Sequence, residues 1–376
     1  MISAALVAAL VGYGSTIALV LAAAQAVGAS PAQTASWVAA ICFGKAAGTA
    51  LLSSWKKVPV VLAWSTPGAA LIAASSGITI HEAVGAFLLA GLAIALTGAI
   101  PPVSRLVNAI PGAVASAMLA GVLLPFCMAV ARYAVSDWAL VLPIVAVFLV
   151  VRLASPLYAV LSALVAGLVI AFVTGEGAAP ALALDLQPLV FIAPQFDLPV
   201  LIGLGLPLYL VTMASQNLPG FAVMRAHGFQ PPVNAALGVS GIGSAVIALF
   251  GAHTFNMAAI TAAICMGDDV HRDPAQRWKV GLAYAAVWAT LGLSGPVIIG
   301  AILAMPPAIV AVVAGLALIA PLMGAVASSF EAPETRFAAA TTFIVTASGI
   351  AAFGIGAAFW GLVAGLLAHG LERLKR

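Results

Sequence analysis

The chain has 376 residues, 64% of them hydrophobic and only 7% charged, where a soluble globular domain carries roughly 25% charged residues. A charged skin cannot be built from 14 basic and 11 acidic side chains, and a mean hydropathy of +1.19 leaves a bilayer as the solvent that fits. A net charge of +3, carried by basic residues that stand singly or in pairs, gives no electrostatic footprint for nucleic acid.

Gly, Pro and charged residues divide the chain into about fourteen apolar segments. The first seven lie near 4–26, 33–54, 59–76, 83–100, 110–130, 138–151 and 157–174. The second seven lie near 198–214, 232–250, 253–267, 279–302, 305–327, 337–351 and 353–371, after the polar interruption Gly175–Asp197. The pattern predicts an all-α polytopic membrane protein of about 14 transmembrane segments.

Met1-Ile2-Ser3 runs straight into apolar sequence without a basic region, which predicts a first transmembrane helix and not a cleaved signal peptide. Inside it, Val11-Gly12-Tyr13-Gly14 spells most of a potassium-filter signature. That filter needs a short re-entrant loop, whereas this string sits in a continuous apolar run, so a channel is not the expectation. Gln25, near the end of the segment, is expected to be structural.

The second segment holds Lys45 in Gly44-Lys45-Ala46-Ala47-Gly48. A lysine near the centre of a membrane helix is disfavoured by roughly 2.5–3.5 kcal/mol on insertion scales. Snorkelling to an interface is the expectation for it, and pairing with an anion is the alternative. The Gly pairs at 44/48 and 361/365 predict close helix packing. Cys42, Cys127 and Cys265 show no Cys-x-x-Cys spacing and read as buried free thiols, with no metal site expected.

The third segment, Val58-Pro59-Val60-Val61-Leu62-Ala63-Trp64-Ser65-Thr66-Pro67-Gly68, is the most informative. Its first half is β-branched and aromatic, and Pro59 excludes an ordinary helix interior. Ser65 or Thr66 then reads as an N-cap and Pro67 as the first helical residue, so a helix starts partway across the membrane. Its free N–H groups and positive dipole end make a ready anion site. The competing picture is a continuous helix kinked at Pro67.

In the eighth segment Gln216 and Asn217 are expected to close the span, offering amides either to a carboxylate or to a neighbouring helix. In the tenth, Phe250-Gly251-Ala252-His253-Thr254-Phe255-Asn256 precedes a helical run Met257–Met266, which Thr254 or Asn256 would cap. His253 suits a proton carrier, and equally a neutral histidine bonded to backbone. Glu82, at the start of the fourth segment, and Asp268 with Asp269, after the tenth, are the nearest acidic groups. His253, Glu82 and Asp268 are thus the proton-coupling candidates, with the carboxylates otherwise serving as solvated helix ends. No nucleophile–base pair or phosphate loop appears, so an enzyme is not expected.

With the N-terminus in the cytoplasm, Lys56, Lys57, Arg105, Arg152, Arg225, Arg272, Arg277, Lys279, Arg336, Arg373, Lys375 and Arg376 fall inside, and only Arg132 falls outside. Both termini are therefore expected to be cytoplasmic. An odd number of spans per half makes the second half an inverted repeat of the first. In the letters, Ile110-Pro111-Gly112-Ala113-Val114 with Pro125 resembles Met305-Pro306-Pro307-Ala308-Ile309 with Pro321, and Ser65–Ala70 is laid over His253–Ala258.

Several strings together resemble the benzoate:proton symporter (BenE-type) family. They are Ala63-Trp64-Ser65-Thr66-Pro67-Gly68-Ala69-Ala70-Leu71, Val211-Thr212-Met213-Ala214-Ser215-Gln216-Asn217-Leu218-Pro219-Gly220 and Ala258-Ala259-Ile260-Thr261-Ala262-Ala263-Ile264-Cys265. Val345-Thr346-Ala347-Ser348-Gly349 and Gly356-Ala357-Ala358-Phe359-Trp360-Gly361-Leu362 follow in the family's order. The resemblance implies a proton-coupled importer of benzoate or a similar aromatic carboxylate at the bacterial inner membrane. It also implies the seven-plus-seven inverted-repeat fold of uracil and sulfate transporters, with short strands leading into half-helices in spans 3 and 10. A core domain would comprise 1–108 and 198–303, and a gate domain 109–197 and 304–376.

The expected site sets the carboxylate between Thr66–Gly68 and Thr254–Asn256. Gln216 and Asn217 add hydrogen bonds, and Trp64 and Phe255 hold the ring. Ser65, Pro67 and His253 line the same place, with Lys45 as a possible counter-charge. The expected partners are the carboxylate, protons and the lipid bilayer, with a homodimer allowed and no cofactor. The alternatives are a permease of the same fold for another small anion or a nucleobase, and a passive channel or facilitator.

Overall fold

The computed structural model describes residues 1–100, 110–175, 189–258, 260–303 and 305–374. Arg105, Lys375, Arg376 and most of the expected midpoint therefore lie outside the described residues. The first half comprises α1 (Ile2–Ala26), α2 (Pro31–Lys56), β1 (Leu62–Trp64), α3 (Thr66–Ala73) and α4 (Ile80–Ala99). It continues with α5 (Gly112–Ser136), α6 (Trp138–Ala154) and α7 (Ala159–Thr174). The second half comprises α8 (Leu198–Ala226), α9 (Val233–Ala248), β2 (Phe255–Met257) and α10 (Ile260–Ile264). After these come α11 (Lys279–Leu293), α12 (Gly295–Leu303), α13 (Pro307–Phe330), α14 (Arg336–Ala347) and α15 (Ala357–Leu374).

Among the described residues, six helices are long and apolar enough to cross a membrane: α1, α2, α4, α5, α8 and α13. Their outward faces match that solvent. Leu153 at the end of α6 is 90% exposed and Phe172 on α7 is 81% exposed, positions that lipid and not water accommodates. α2 and α4 begin in full capping boxes, Ser30 with Gln33 and Thr79 with Glu82. α1 runs unbroken through Val11-Gly12-Tyr13-Gly14, so the filter-like string is helical.

The helices pack most extensively within two groups, which meet where α1 touches α13 and α7 and where α3 touches α5. α4 lies along α9, α2 along α11, and α1 against α3 and α11. Separately, α5 packs on α13 and α14, α14 on α15, and α6 on α7. The Gly pairs read from sequence are packing sites. A Cβ on Gly44 or Gly48 would press on Phe255 at 3.2 and 3.4 Å, and Gly361 and Gly365 sit against Thr346 and Thr342 of α14.

Three expectations need correction. The eighth span does not close at Gln216; α8 continues to Ala226 through π-helical turns at Leu201–Gly205 and Met213–Asn217. The wide second turn absorbs Pro219, whose missing N–H would otherwise leave a gap in the α-helical ladder. The eleventh span is two helices, because Ser294 ends α11 and Gly295-Pro296 starts α12. Thr254 and Asn256 cap no helix: they are extended, and α10 begins only at Ile260.

Candidate functional site

The two strands form one antiparallel ribbon, with Leu62 opposite Met257, Ala63 opposite Asn256 and Trp64 opposite Phe255. The Ser65 N–H donates to the Thr254 carbonyl at 3.0 Å, and the Ala258 N–H to the Val61 carbonyl at 2.9 Å, extending the ribbon at both ends. The expected break before Pro67 is therefore real, with Ser65 as N-cap, Thr66 as first helical residue and Pro67 as second. The Ser65 hydroxyl accepts the Gly68 N–H at 3.1 Å, so that donor of the α3 terminus is already engaged.

Alternation along the ribbon sorts the candidate residues onto two sides. On the α8 side, the Ser65, Thr212 and Thr254 hydroxyls form a buried chain with 3.0 Å links. The Asn256 amide donates to Gln216 Oε1 at 3.5 Å and to its neighbour's carbonyl, Met257 O, at 2.8 Å, while Asn256 Oδ1 has no partner. Asn217 is spent on structure: its Oδ1 accepts the Met257 N–H at 2.9 Å and seals the free edge of β2. Phe255 fills the notch left by Gly44, Gly48 and Gly243, and a Cβ on Gly68 would strike Leu208.

His253 is fully buried, with both ring nitrogens occupied. The Trp37 indole N–H donates to Nδ1 at 3.0 Å, which leaves Nε2 to donate to the Ser65 carbonyl at 3.2 Å. This fixes one neutral tautomer and clasps α2 to the loop between β1 and α3. His253→Gln is expected to lower the melting temperature of the purified protein by removing this clasp. Unchanged melting would deny that the ring holds α2 to the loop before α3. Glu82 serves the exposed capping box of α4, and Asp268, 93% exposed, pairs with Arg277. Neither carboxylate approaches the ribbon.

The other side holds Lys45, and it does not snorkel. The residue is 0% exposed, and its Nζ lies 3.7 Å from the centroid of the Trp64 ring and 2.8 Å from that of Trp288. No hydrogen-bond acceptor reaches it. Tyr13 packs on both indoles, with centroids 5.6 and 5.8 Å away, and Tyr284 packs on Trp288 at 5.9 Å. Tyr284 donates its hydroxyl to the Leu62 carbonyl at 3.1 Å, whereas the Tyr13 hydroxyl and the Trp288 N–H are buried without partners. One turn along α1, Thr16 meets Thr66 with hydroxyls 3.3 Å apart.

Three unsatisfied donors from three helices thus gather beside β1, walled by aromatic rings. Were Lys45 charged here, cation–π contact would contribute about 2 kcal/mol when desolvated, whereas the effective penalty for burying one ion is several kcal/mol. The shortfall is what a bound anion would supply. Sequence spacing gave no signal for Tyr13, Tyr284 or Trp288, because they come from α1 and α11 and meet only in three dimensions.

The comparisons with known proteins agree on a transporter scaffold. A family model described as "BenE: Benzoate membrane transport protein" matches residues 1–371. The chain is 37% identical over 363 residues to the inner membrane protein YdcO of Escherichia coli (strain K12), covering 96% of this chain and 93% of that one. It is 31% identical over 367 residues to the benzoate membrane transport protein of Acinetobacter baylyi (strain ATCC 33305 / BD413 / ADP1), covering 97% and 93%. Among solved structures, the transmembrane domain of the cyanobacterial bicarbonate transporter BicA superposes with a TM-score of 0.56. That match has 16% identity and covers 98% of this chain and 97% of the other, a likeness of fold.

Proposed function

Because the chain belongs to the BenE benzoate membrane transport family, whose members are membrane transporters and not enzymes, we propose that it imports benzoate or a similar aromatic carboxylate. Import is coupled to protons across the bacterial inner membrane. The observation that carries the substrate class is the Lys45 box: a buried lysine amine and two unused donors among aromatic rings suit an aryl group bearing one carboxylate. Trp64 and Thr66 border that seat, and Gln216 with Asn256 offers spare hydrogen-bond capacity across the ribbon.

The chain crosses the membrane fourteen times as two inverted seven-span repeats, with both termini cytoplasmic. The strand-led helices α3 and α10 are the half-crossings of spans 3 and 10. The packing groups support a core domain of 1–108 and 198–303 and a gate domain of 109–197 and 304–376. Transport moves one against the other.

The test is uptake of labelled benzoate by proteoliposomes under an imposed inward proton gradient. Accumulation above the outside concentration, abolished by a protonophore, is expected. Substituted benzoates should compete, and uracil, sulfate and bicarbonate should not. Equal uptake with and without the gradient would indicate a passive facilitator, and competition by uracil or an inorganic anion alone would reassign the substrate.

A further inference from the structure

A titratable group that touches the substrate's seat is one that can carry the proton of a coupled transporter. His253 is locked in one tautomer between Trp37 and Ser65, Glu82 is exposed in a helix cap, and Asp268 is exposed and paired with Arg277. Lys45 alone of these four is both fully buried and without a hydrogen-bond partner, and it lies beside β1. The titratable groups that face it are Cys42 on its own helix, Tyr13 from α1, Tyr284 from α11 and His253 from the loop before β2. None is a carboxylate, and the ion pair found among the described residues is Arg277 with Asp268.

We propose that Lys45 carries the co-transported proton, holding it as the counter-charge of the bound carboxylate, with the Tyr13 hydroxyl and the Trp288 N–H as additional donors to the same anion. This deepens the reading of the chain as an aromatic-carboxylate importer and rests on it. In the empty site Lys45 is the neutral amine. On the outer side a proton from water adds to the Nζ lone pair, and the carboxylate enters as its counter-ion. On the inner side the carboxylate leaves, and the proton returns from Nζ to water. An ammonium without an anion, or an anion without the ammonium, is disfavoured in this water-poor box, so each ligand strengthens binding of the other by the same factor. Because each lone ligand is disfavoured, futile leak of protons or of substrate is suppressed.

The experiment is proton uptake on adding benzoate to the detergent-purified protein in weakly buffered solution, with binding followed by calorimetry. Wild type is expected to take up about one proton per benzoate bound. Lys45→Arg keeps a permanent charge and should bind benzoate with no proton uptake. Uptake retained in Lys45→Arg overturns the inference, because the proton then rides on another group or on the substrate itself. Lys45→Met removes the charge at similar length, which keeps the inference testable if the bulkier guanidinium is not accommodated. It should weaken binding by about thirtyfold or more, and unchanged affinity overturns the counter-charge. Tyr13→Phe should keep proton uptake and weaken binding about tenfold, and wild-type affinity there overturns the donor cluster. Wild type that binds benzoate without taking up a proton defeats this inference alone. Wild type that neither binds nor accumulates benzoate defeats the substrate reading beneath it.

Discussion

Gly241→Leu is expected to leave almost no folded protein in the membrane, as is Gly91→Leu, whereas Gly238→Leu, on the same helix as Gly241, should be tolerated. The contrast follows from the seam between α4 and α9. A Cβ on Gly241 would lie against the backbone nitrogen of Ala95, 2.7 Å from its Cα and 2.8 Å from its Cβ. A Cβ on Gly91 would stand 2.6 Å from the Ala245 nitrogen and 2.9 Å from the Gly241 carbonyl oxygen. The pairs Gly91/Ala95 and Gly241/Ala245 therefore interlock one turn apart, backbone against backbone. Backbone cannot swing aside as a side chain does, so overpacking here exceeds the usual 1–3 kcal/mol or so. Lipid competes fully for apolar surface, and nothing replaces the lost fit. At Gly238 a Cβ meets nothing within 4 Å. Fluorescence-detected gel filtration of tagged variants measures the outcome, and equal monodisperse peaks for Gly241→Leu and Gly238→Leu would contradict this seam.

Asn217→Leu and Gln216→Ala, one residue apart, should separate stability from transport. Asn217 is fully buried, and its carbonyl oxygen is the acceptor for the Met257 N–H. Leucine of similar size strands that N–H where no water reaches, at a cost of about 1–3 kcal/mol or more. Melting should fall by several degrees, and uptake should fall with it because β2 loses its anchor. Gln216 is half-buried and holds a single 3.5 Å contact to Asn256. Its alanine variant should keep wild-type abundance and melting while lowering benzoate uptake about tenfold. Unchanged uptake would remove Gln216 from the substrate's path, and unchanged melting of Asn217→Leu would deny the anchor.

Much of the scaffold is legible in the letters, and the reason is local. Ser65 before Thr66-Pro67 states a helix start wherever it occurs, and the structure puts the cap on Ser65. Gly44/Gly48 and Gly361/Gly365 announce close approach at helical spacing. What stays hidden depends on the third dimension or on non-standard turns. The π turn at Met213–Asn217 carries no sequence mark, so α8 outruns its expected end. Met257 reads from the letters as the start of a helix, and only pairing with Leu62-Ala63-Trp64 draws it into a strand. Polarity points to His253 and Asn217, yet each spends its hydrogen bonds on the fold. The aromatic box mixes residues 13, 45, 64, 284 and 288, and no window along the chain contains them together.

The ribbon of β1 and β2 ties the first half of the chain to the second, and the Trp37–His253–Ser65 clasp fastens α2 to it. Lys45 rides on α2 and is therefore carried with the ribbon whenever that body shifts. In the proposed cycle a protonated lysine loaded with one carboxylate travels as a neutral unit, and the emptied amine returns as a neutral unit. The electric potential across the bilayer, which does work of about 2.3 kcal/mol per elementary charge per 100 mV, then has no net charge to act on. Uptake should run on the difference in acidity between the two compartments and be indifferent to voltage.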